Sequence, residues 1–331
     1  MKAVRDLQDK RVLLIAPQFF GYEKEIENEL IRRGALVDFL PDRPFNSPFM
    51  RGVTRVKREW VLPFADRFFL KSVEDFGRSK YDIIFVIIGE ALSIQFLTQL
   101  RSIFPQAFYV FYMWDALRNK PLLIPNIQLF DKCYTFDPFD AKQYGMVHRP
   151  LFFSPGFEKD MRPDFQYHFS FIGTAHSDRY SIISSLKAVL PQNLAIYIYL
   201  YLQAPWMLYG QKVFNSKFKG AKKSDFHFSA LSKKCVQDIF LNSMAVLDIE
   251  HPAQKGLTMR TFETLGANKK LITTNSQVIQ TDFYKPENIL VINRNAVSNI
   301  PESFFQTAYK APDPLIYRKY SIAGWLDDVI L

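Results

Sequence analysis

The chain repeatedly presents a short, almost unbroken apolar run that stops at polar or glycine residues. Arg11-Val-Leu-Leu-Ile-Ala, Tyr81-Asp-Ile-Ile-Phe-Val-Ile-Ile, Phe108-Tyr-Val-Phe-Tyr-Met and Ala245-Val-Leu-Asp-Ile are of this kind. Such runs suit parallel strands covered on both faces, and parallel neighbours need helical crossovers between them. The sequence supplies these. Tyr22, Ile26 and Leu30 stripe a helix that Gly34 ends, and Leu36-Val-Asp-Phe-Leu follows as the next strand. A βαβ opening of this sort predicts an α/β chain with a doubly wound sheet.

Further along, a helix is expected over Phe64 to Phe76. The Tyr81 run delivers Gly89 and Glu90 at its carboxyl end, and the Phe108 run delivers Trp114 and Asp115. Lys132–Phe136 is a third strand, followed by Asp137 and a short helix around Asp140 to Tyr144. Ligands in open α/β sheets sit outside the carboxyl ends of the strands, so Glu90, Asp115 and Asp137 are placed either for acid–base work or as turn and cap residues. Asp42 to Lys57 reads as a long, basic connection, and the Pro-rich stretch Arg149–Asp164 as an interdomain linker. The pattern restarts at His168-Phe-Ser-Phe-Ile-Gly with a turn at Gly173. Thr174, His176, Ser177 and Arg179 open the next helix, and Leu194–Leu202 is a strand. Pro205–Phe228, aromatic, basic and irregular, either lines an acceptor site or is a packed connection. Ser232–Leu241 is a helix, Ile289 begins an edge strand, Pro301–Tyr309 is a short helix and Ile316–Ile330 a terminal one. The domains expected are 1–155, 165–315 and a terminal segment 316–331.

Composition narrows the class. The chain has 331 residues, nearly half of them apolar, which suffices for two domains with full cores. Its charge of +9 accompanies no zinc-finger, RNP or other nucleic-acid signature, so nucleic acid is not expected; a basic face is either plain solvated surface or suited to anionic lipid or glycan. The two cysteines, Cys133 and Cys235, lack C-x-x-C partners, which argues against a zinc site and suits a reducing compartment. No run is long enough to span a membrane, and a cytoplasmic protein, with possible peripheral contact at the inner membrane surface, is expected. The first turn, Ala16-Pro-Gln-Phe-Phe-Gly, lacks G-x-G-x-x-G, which disfavours a nicotinamide or flavin cofactor.

The segment richest in chemistry is Asp248–Asn275, DIEHPAQKGLTMRTFETLGANKKLITTN. It reads as strand, polar loop broken at Pro252 and Gly256, helix capped by Thr258, and strand from Lys270. Unsatisfied N–H groups at the helix start favour an anion, and Gly256 admits close approach. Arg260 and Glu263 share a helix face, either as an ordinary Arg–Glu pair or as a phosphate cation and a ribose acceptor.

Gln254-Lys-Gly-Leu-Thr-Met-Arg-Thr-Phe-Glu, followed by Lys269-Lys-Leu-Ile-Thr-Thr-Asn, resembles the donor segment of bacterial GT-B glycosyltransferases, nearest the CgeB-like and capsule or lipopolysaccharide types. Phe85–Glu90, Tyr112–Asp115 and Asp131–Tyr144 resemble the first half of the same proteins. The resemblance implies two Rossmann-like domains facing across a cleft, with a nucleotide-sugar donor on the second and a glycan or lipid-linked acceptor on the first. It further implies a last helix crossing back onto the first domain, where Trp325 can anchor it. Glu263 matches the ribose-binding glutamate; Gly173, Thr174, His176, Arg179, Gln254, Gly256, Leu257, Thr258 and Arg260 fall in the donor segments. Many retaining members carry a second glutamate that would fall at Lys255 here, so the stereochemical course stays open. An inverting route needs a base, for which Asp115 is the first choice and Glu90 the second. No metal and no cofactor beyond the nucleotide sugar are implied. The alternatives are a nucleotide-sugar epimerase or hydrolase on the same fold, and a non-catalytic nucleotide- or glycan-binding component of a surface-assembly complex.

Overall fold

The computed structural model describes residues 7–44, 58–77, 80–158, 165–297 and 299–330. Residues 45–57 of the basic connection and 159–164 of the expected linker lie outside them. The chain divides into two units, Met1–Pro150 with Ile322–Leu331, and Leu151–Ser321.

Among the described residues the first unit carries six parallel strands, β1 (Arg11–Ala16), β2 (Leu36–Pro41), β3 (Ile83–Ile87), β4 (Phe108–Met113), β5 (Lys132–Thr135) and β6 (Val147–His148). They lie in the order β2-β1-β3-β4-β5-β6. Between them run α1 (Tyr22–Arg32), α2 (Arg58–Asp75), α3 (Ile94–Ile103) and α4 (Pro138–Tyr144). Every residue of β3 is buried, as its unbroken apolar run requires. The order reverses between β1 and β3, where a doubly wound sheet opens its ligand crevice. Helix α2 starts at Arg58, earlier than the expected Phe64.

The second unit holds β7 (Tyr167–Thr174), β8 (Ile196–Tyr201), β9 (Ser243–Asp248), β10 (Lys270–Thr273) and β11 (Ile289–Val291), all parallel, in the order β11-β10-β9-β7-β8. Its helices are α5 (Arg179–Val189), α6 (Pro205–Phe214), α7 (Lys233–Leu241), α8 (Met259–Gly266), α9 (Glu302–Gln306) and α10 (Pro314–Lys319). Here the order reverses between β7 and β9.

Two expectations need correction, and a third gains detail. The division at Pro150 falls inside the expected linker Arg149–Asp164, whose residues Leu151, Phe152, Phe153 and Phe157 are buried. Phe153 lies against Gly266, where a Cβ would come within 2.6 Å of its ring, and Phe157 packs on Phe240 with ring centroids 5.6 Å apart. Pro205–Phe228 is not irregular throughout, because its first ten residues form α6, started by Pro205 in the first turn. The terminal helix is broken. Tyr320 stacks on Phe262 at 5.3 Å, and its carbonyl accepts from Phe153 N at 2.8 Å. The chain is thus fixed at Tyr320–Ser321, and a separate helix, α11 (Ile322–Val329), follows in the first unit. There Trp325 is fully buried, edge-on to Tyr112 at 4.8 Å, and Arg33 reaches Asp327 at 2.7 Å.

Candidate functional site

At the crevice of the second unit, Arg179 joins the two strands that define it. Its Nε donates to Ile249 O just beyond β9 at 2.7 Å, and its NH1 donates to Thr174 O at the end of β7 at 3.1 Å. Gly173 makes room: a Cβ there would stand 3.2 Å from Arg179 NH1. Both acceptors are neutral carbonyls, so the charge is not cancelled by its hydrogen bonds. Burial, and next the neighbouring Arg260, push the Arg179 pKa down to about 10, against the opposing pull of Asp248 and Glu250.

Arg260 enters from α8. Asp248, buried at the end of β9, fixes that helix by accepting Thr258 Oγ1 at 2.7 Å and Thr261 Oγ1 at 3.0 Å, while Thr258 caps the helix through Thr261 N at 3.4 Å. The preceding loop is held from behind. Gly256 O accepts from Gln254 Nε2 at 3.0 Å and from Asn275 Nδ2 at 3.3 Å, and Leu257 is buried. The Arg260 guanidinium lies 5.7 Å from the Phe240 ring centroid, and its buried Nε has no hydrogen-bond partner among the described residues. It does not pair with Glu263, which sits one turn deeper and is 4% exposed. The ordinary Arg–Glu pair that spacing allows is therefore not what forms.

The α5 entrance carries two further features. His176, with Nδ1 2.7 Å from Ser177 Oγ, has its pKa lowered to about 3 by burial, then by Arg179 and His251, against Asp178. Its imidazole is neutral at physiological pH. Ser177 adopts φ 52°, a left-handed conformation rare outside glycine.

Sequence reasoning missed Arg294. Its NH1 grips both oxygens of Asp178 at 2.7 and 2.8 Å, and its NH2 meets Glu250 Oε1 at 2.5 Å and Thr274 Oγ1 at 3.2 Å. One guanidinium thus ties the start of α5 to the loop after β9. Its position just past β11, at a strand's carboxyl end, was the available signal.

In the first unit, the two nominated carboxylates differ. Glu90 is held by Lys120 Nζ at 2.5 Å and Arg43 NH1 at 3.1 Å. Buried Asp42 accepts from Glu90 N at 3.1 Å, and its pKa is raised to about 6, chiefly by burial. Asp115 accepts through Oδ1 from Ala116 N at 2.8 Å and Asn119 Nδ2 at 2.9 Å, which makes it a turn residue, and its Oδ2 has no hydrogen bond among the described residues. Asp137 caps α4 through Phe139 N at 2.9 Å.

No family model matches the sequence, and no curated protein is significantly similar to it. Solved structures are. A glycosyltransferase from Rickettsia africae superposes over 97% of this chain and 97% of its own, with a TM-score of 0.58 at 9% identity. Anabaena HepE, solved in complex with UDP and glucose, covers 97% and 98% with a TM-score of 0.61, also at 9% identity. A UDP-glucosyltransferase from Polygonum tinctorium capable of glucosylating indoxyl covers the same shares at 9% identity with a TM-score of 0.50. The fold, two Rossmann-like units with parallel sheets, is that of the GT-B glycosyltransferases.

Proposed function

We propose that this protein is a glycosyltransferase whose second unit holds a nucleotide-sugar donor and whose first unit engages a glycan or lipid-linked glycan acceptor. One observation carries the reading. At the point where the strand order of the second sheet reverses, Arg179 feels the charge of Arg260, with no carboxylate hydrogen-bonded to either among the described residues. Two neighbouring guanidinia in a partly desolvated site repel one another, and a bound dianion turns that cost into attraction. A nucleotide diphosphate is such an anion, and the structures of HepE with UDP and with UDP-glucose make a UDP-sugar the first donor to try.

In this assignment Arg179, Arg260, the first N–H groups of α5, and the Gly256, Leu257 and Thr258 backbone bind the diphosphate. Gly173 and Thr174 shape the turn below it. Neutral His176 and Gln254 hydrogen-bond the sugar, and Glu263 offers its remaining exposed surface to the ribose. The arginines stabilise the leaving diphosphate, so transfer proceeds without a metal and with no cofactor beyond the donor. Asp115, with one oxygen open, is the base of an inverting route; Glu90, held by two cations, is the weaker choice. A cytoplasmic role in surface polysaccharide assembly follows the resemblance to capsule and lipopolysaccharide proteins.

The test is a thermal-shift series with UDP-, GDP-, CMP- and dTDP-sugars, followed by assay of nucleotide diphosphate release with and without candidate acceptors. Ligand at a hundred times its dissociation constant should add about 2.7 kcal/mol of stability. Absence of any shift with all four donors refutes the reading; a shift without turnover on any acceptor reduces it to nucleotide binding.

A further inference from the structure

Helix α6 is apolar on both sides. Leu208 is buried, and Asn215, on the same side, donates to Ser177 O at 2.9 Å and so fixes the helix to the protein. Trp206, Tyr209 and Val213 are spaced i, i+3 and i+7, which puts them on one stripe of the opposite side. They are 72%, 67% and 75% exposed, and Phe214 at the helix end is 91% exposed. Gly210 lies within this stripe, and a Cβ there would meet nothing within 4 Å. The stripe is bare. Apolar side chains gathered on the outside of a helix cost solubility unless something covers them.

Charge indicates what does. The segment from Gln203 to Ser224 contains Lys212, Lys217, Lys219, Lys222 and Lys223 and no acidic residue. All five are exposed, and none forms an ion pair among the described residues. An aromatic stripe bordered by unpaired lysines has the composition of an interfacial helix, in which rings enter the headgroup region while ammonium groups remain at the anionic surface. No helix among the described residues is long and apolar enough to cross a membrane, so attachment by this segment would be peripheral.

We infer that α6 and the lysine-rich turn after it form a docking surface for an anionic phospholipid bilayer, with Trp206, Tyr209, Val213 and Phe214 inserted and the lysines at the phosphate level. The position has a consequence for the site. Through Asn215 and Ser177 the docked helix is bonded to the loop that carries His176 and leads into Arg179, so bilayer contact and the diphosphate loop share one rigid connection.

The experiment is vesicle co-sedimentation of the full chain without nucleotide sugar, which keeps it independent of the transferase reading. Vesicles of phosphatidylcholine alone are compared with vesicles containing roughly one-third phosphatidylglycerol, enough to give an anionic surface potential. Binding is expected to the anionic vesicles only, with a blue shift of tryptophan emission that the Trp206→Phe variant loses. Replacing Lys217, Lys219 and Lys222 by Gln should weaken partitioning roughly 100-fold, from a contribution of roughly fivefold per lysine. Replacing Trp206, Val213 and Phe214 by Ser should weaken it at least tenfold with the melting temperature unchanged or higher, since these side chains contact solvent. Failure to bind anionic vesicles, equal binding to neutral ones, or binding indifferent to both triple variants overturns the inference. So does a dimer that the serine variant makes monomeric, in protein that ignores vesicles, because a second copy would then be what covers the stripe.

Discussion

Replacing Arg260 by Gln should improve the ligand-free protein or cost it little while weakening its hold on nucleotide, an unusual sign for a partly buried arginine. In the free protein the buried Nε of Arg260 has no partner among the described residues, and leaving a buried donor unsatisfied costs about 1–3 kcal/mol. It also adds to the positive field that already lowers the Arg179 pKa. Against this stands one favourable contact, the guanidinium 5.7 Å from the Phe240 ring, worth about 0.5–1 kcal/mol at an exposed site and about 2 kcal/mol at a desolvated one. The net change on removing the charge therefore runs from about 1 kcal/mol lost to about 2.5 kcal/mol of added stability, the difference of those ranges. With a diphosphate bound the balance inverts, since a charge-assisted hydrogen bond contributes about 1.5–3 kcal/mol, or roughly 10- to 150-fold in dissociation constant. Urea denaturation gives the first quantity and calorimetric titration with UDP the second. A free protein destabilised by more than about 1 kcal/mol, the loss expected when an arginine has a net favourable role, together with unchanged UDP affinity, refutes the reasoning.

Glu263→Ala should weaken UDP binding by about 1.5–3 kcal/mol if the carboxylate accepts from the ribose; unchanged affinity by calorimetry in folded protein removes that role. Asp115→Asn keeps an oxygen for Ala116 N, so the melting temperature should hold while turnover falls about 100- to 10,000-fold with donor affinity intact; near-normal turnover disqualifies it as the base. Chelation with EDTA should leave transfer activity in place, and loss restored by magnesium or manganese would contradict the proposed role of Arg179 and Arg260. His176 makes stability depend on pH. Its pKa falls from 6.5 to about 3 on folding, so below 6.5 the unfolded chain binds the proton first, and stability present above 6.5 is lost as pH falls toward 3. The contribution to the slope approaches about 1.4 kcal/mol per pH unit. Asp42 acts oppositely, since its pKa rises from 3.8 to about 6 and the folded state holds the proton between those values. Comparing melts of wild type and His176→Gln from pH 7 to pH 4 isolates the histidine, and equal slopes would refute its assignment.

The strands and most helices were legible because their signal is local. A run such as Ile83–Ile87 can be buried on both faces only as a central strand, and Thr258 followed by Met259, Phe262 and Leu265 fixes a helix start whatever surrounds it. The carboxyl-edge rule then placed Asp115, Glu90 and the loop before Thr258 just past the carboxyl ends of their strands. What the side chains do there was settled elsewhere. Arg260 and Glu263 have the spacing of a helix-surface pair, yet the packing of α8 buries the glutamate and turns the arginine toward Phe240 and Arg179. Arg294 meets Asp178 across 116 positions of chain and Glu250 across 44, separations at which no periodicity or motif carries information. The break at Tyr320 depends on Phe262 and Phe153, both far back in the sequence. Which segments are strands and helices could be read locally, since a residue's own neighbours set its period and its caps. Which charges lack a hydrogen-bond partner among the described residues, and which apolar face of α6 is left bare, came from packing, because both are properties of what surrounds a residue in space.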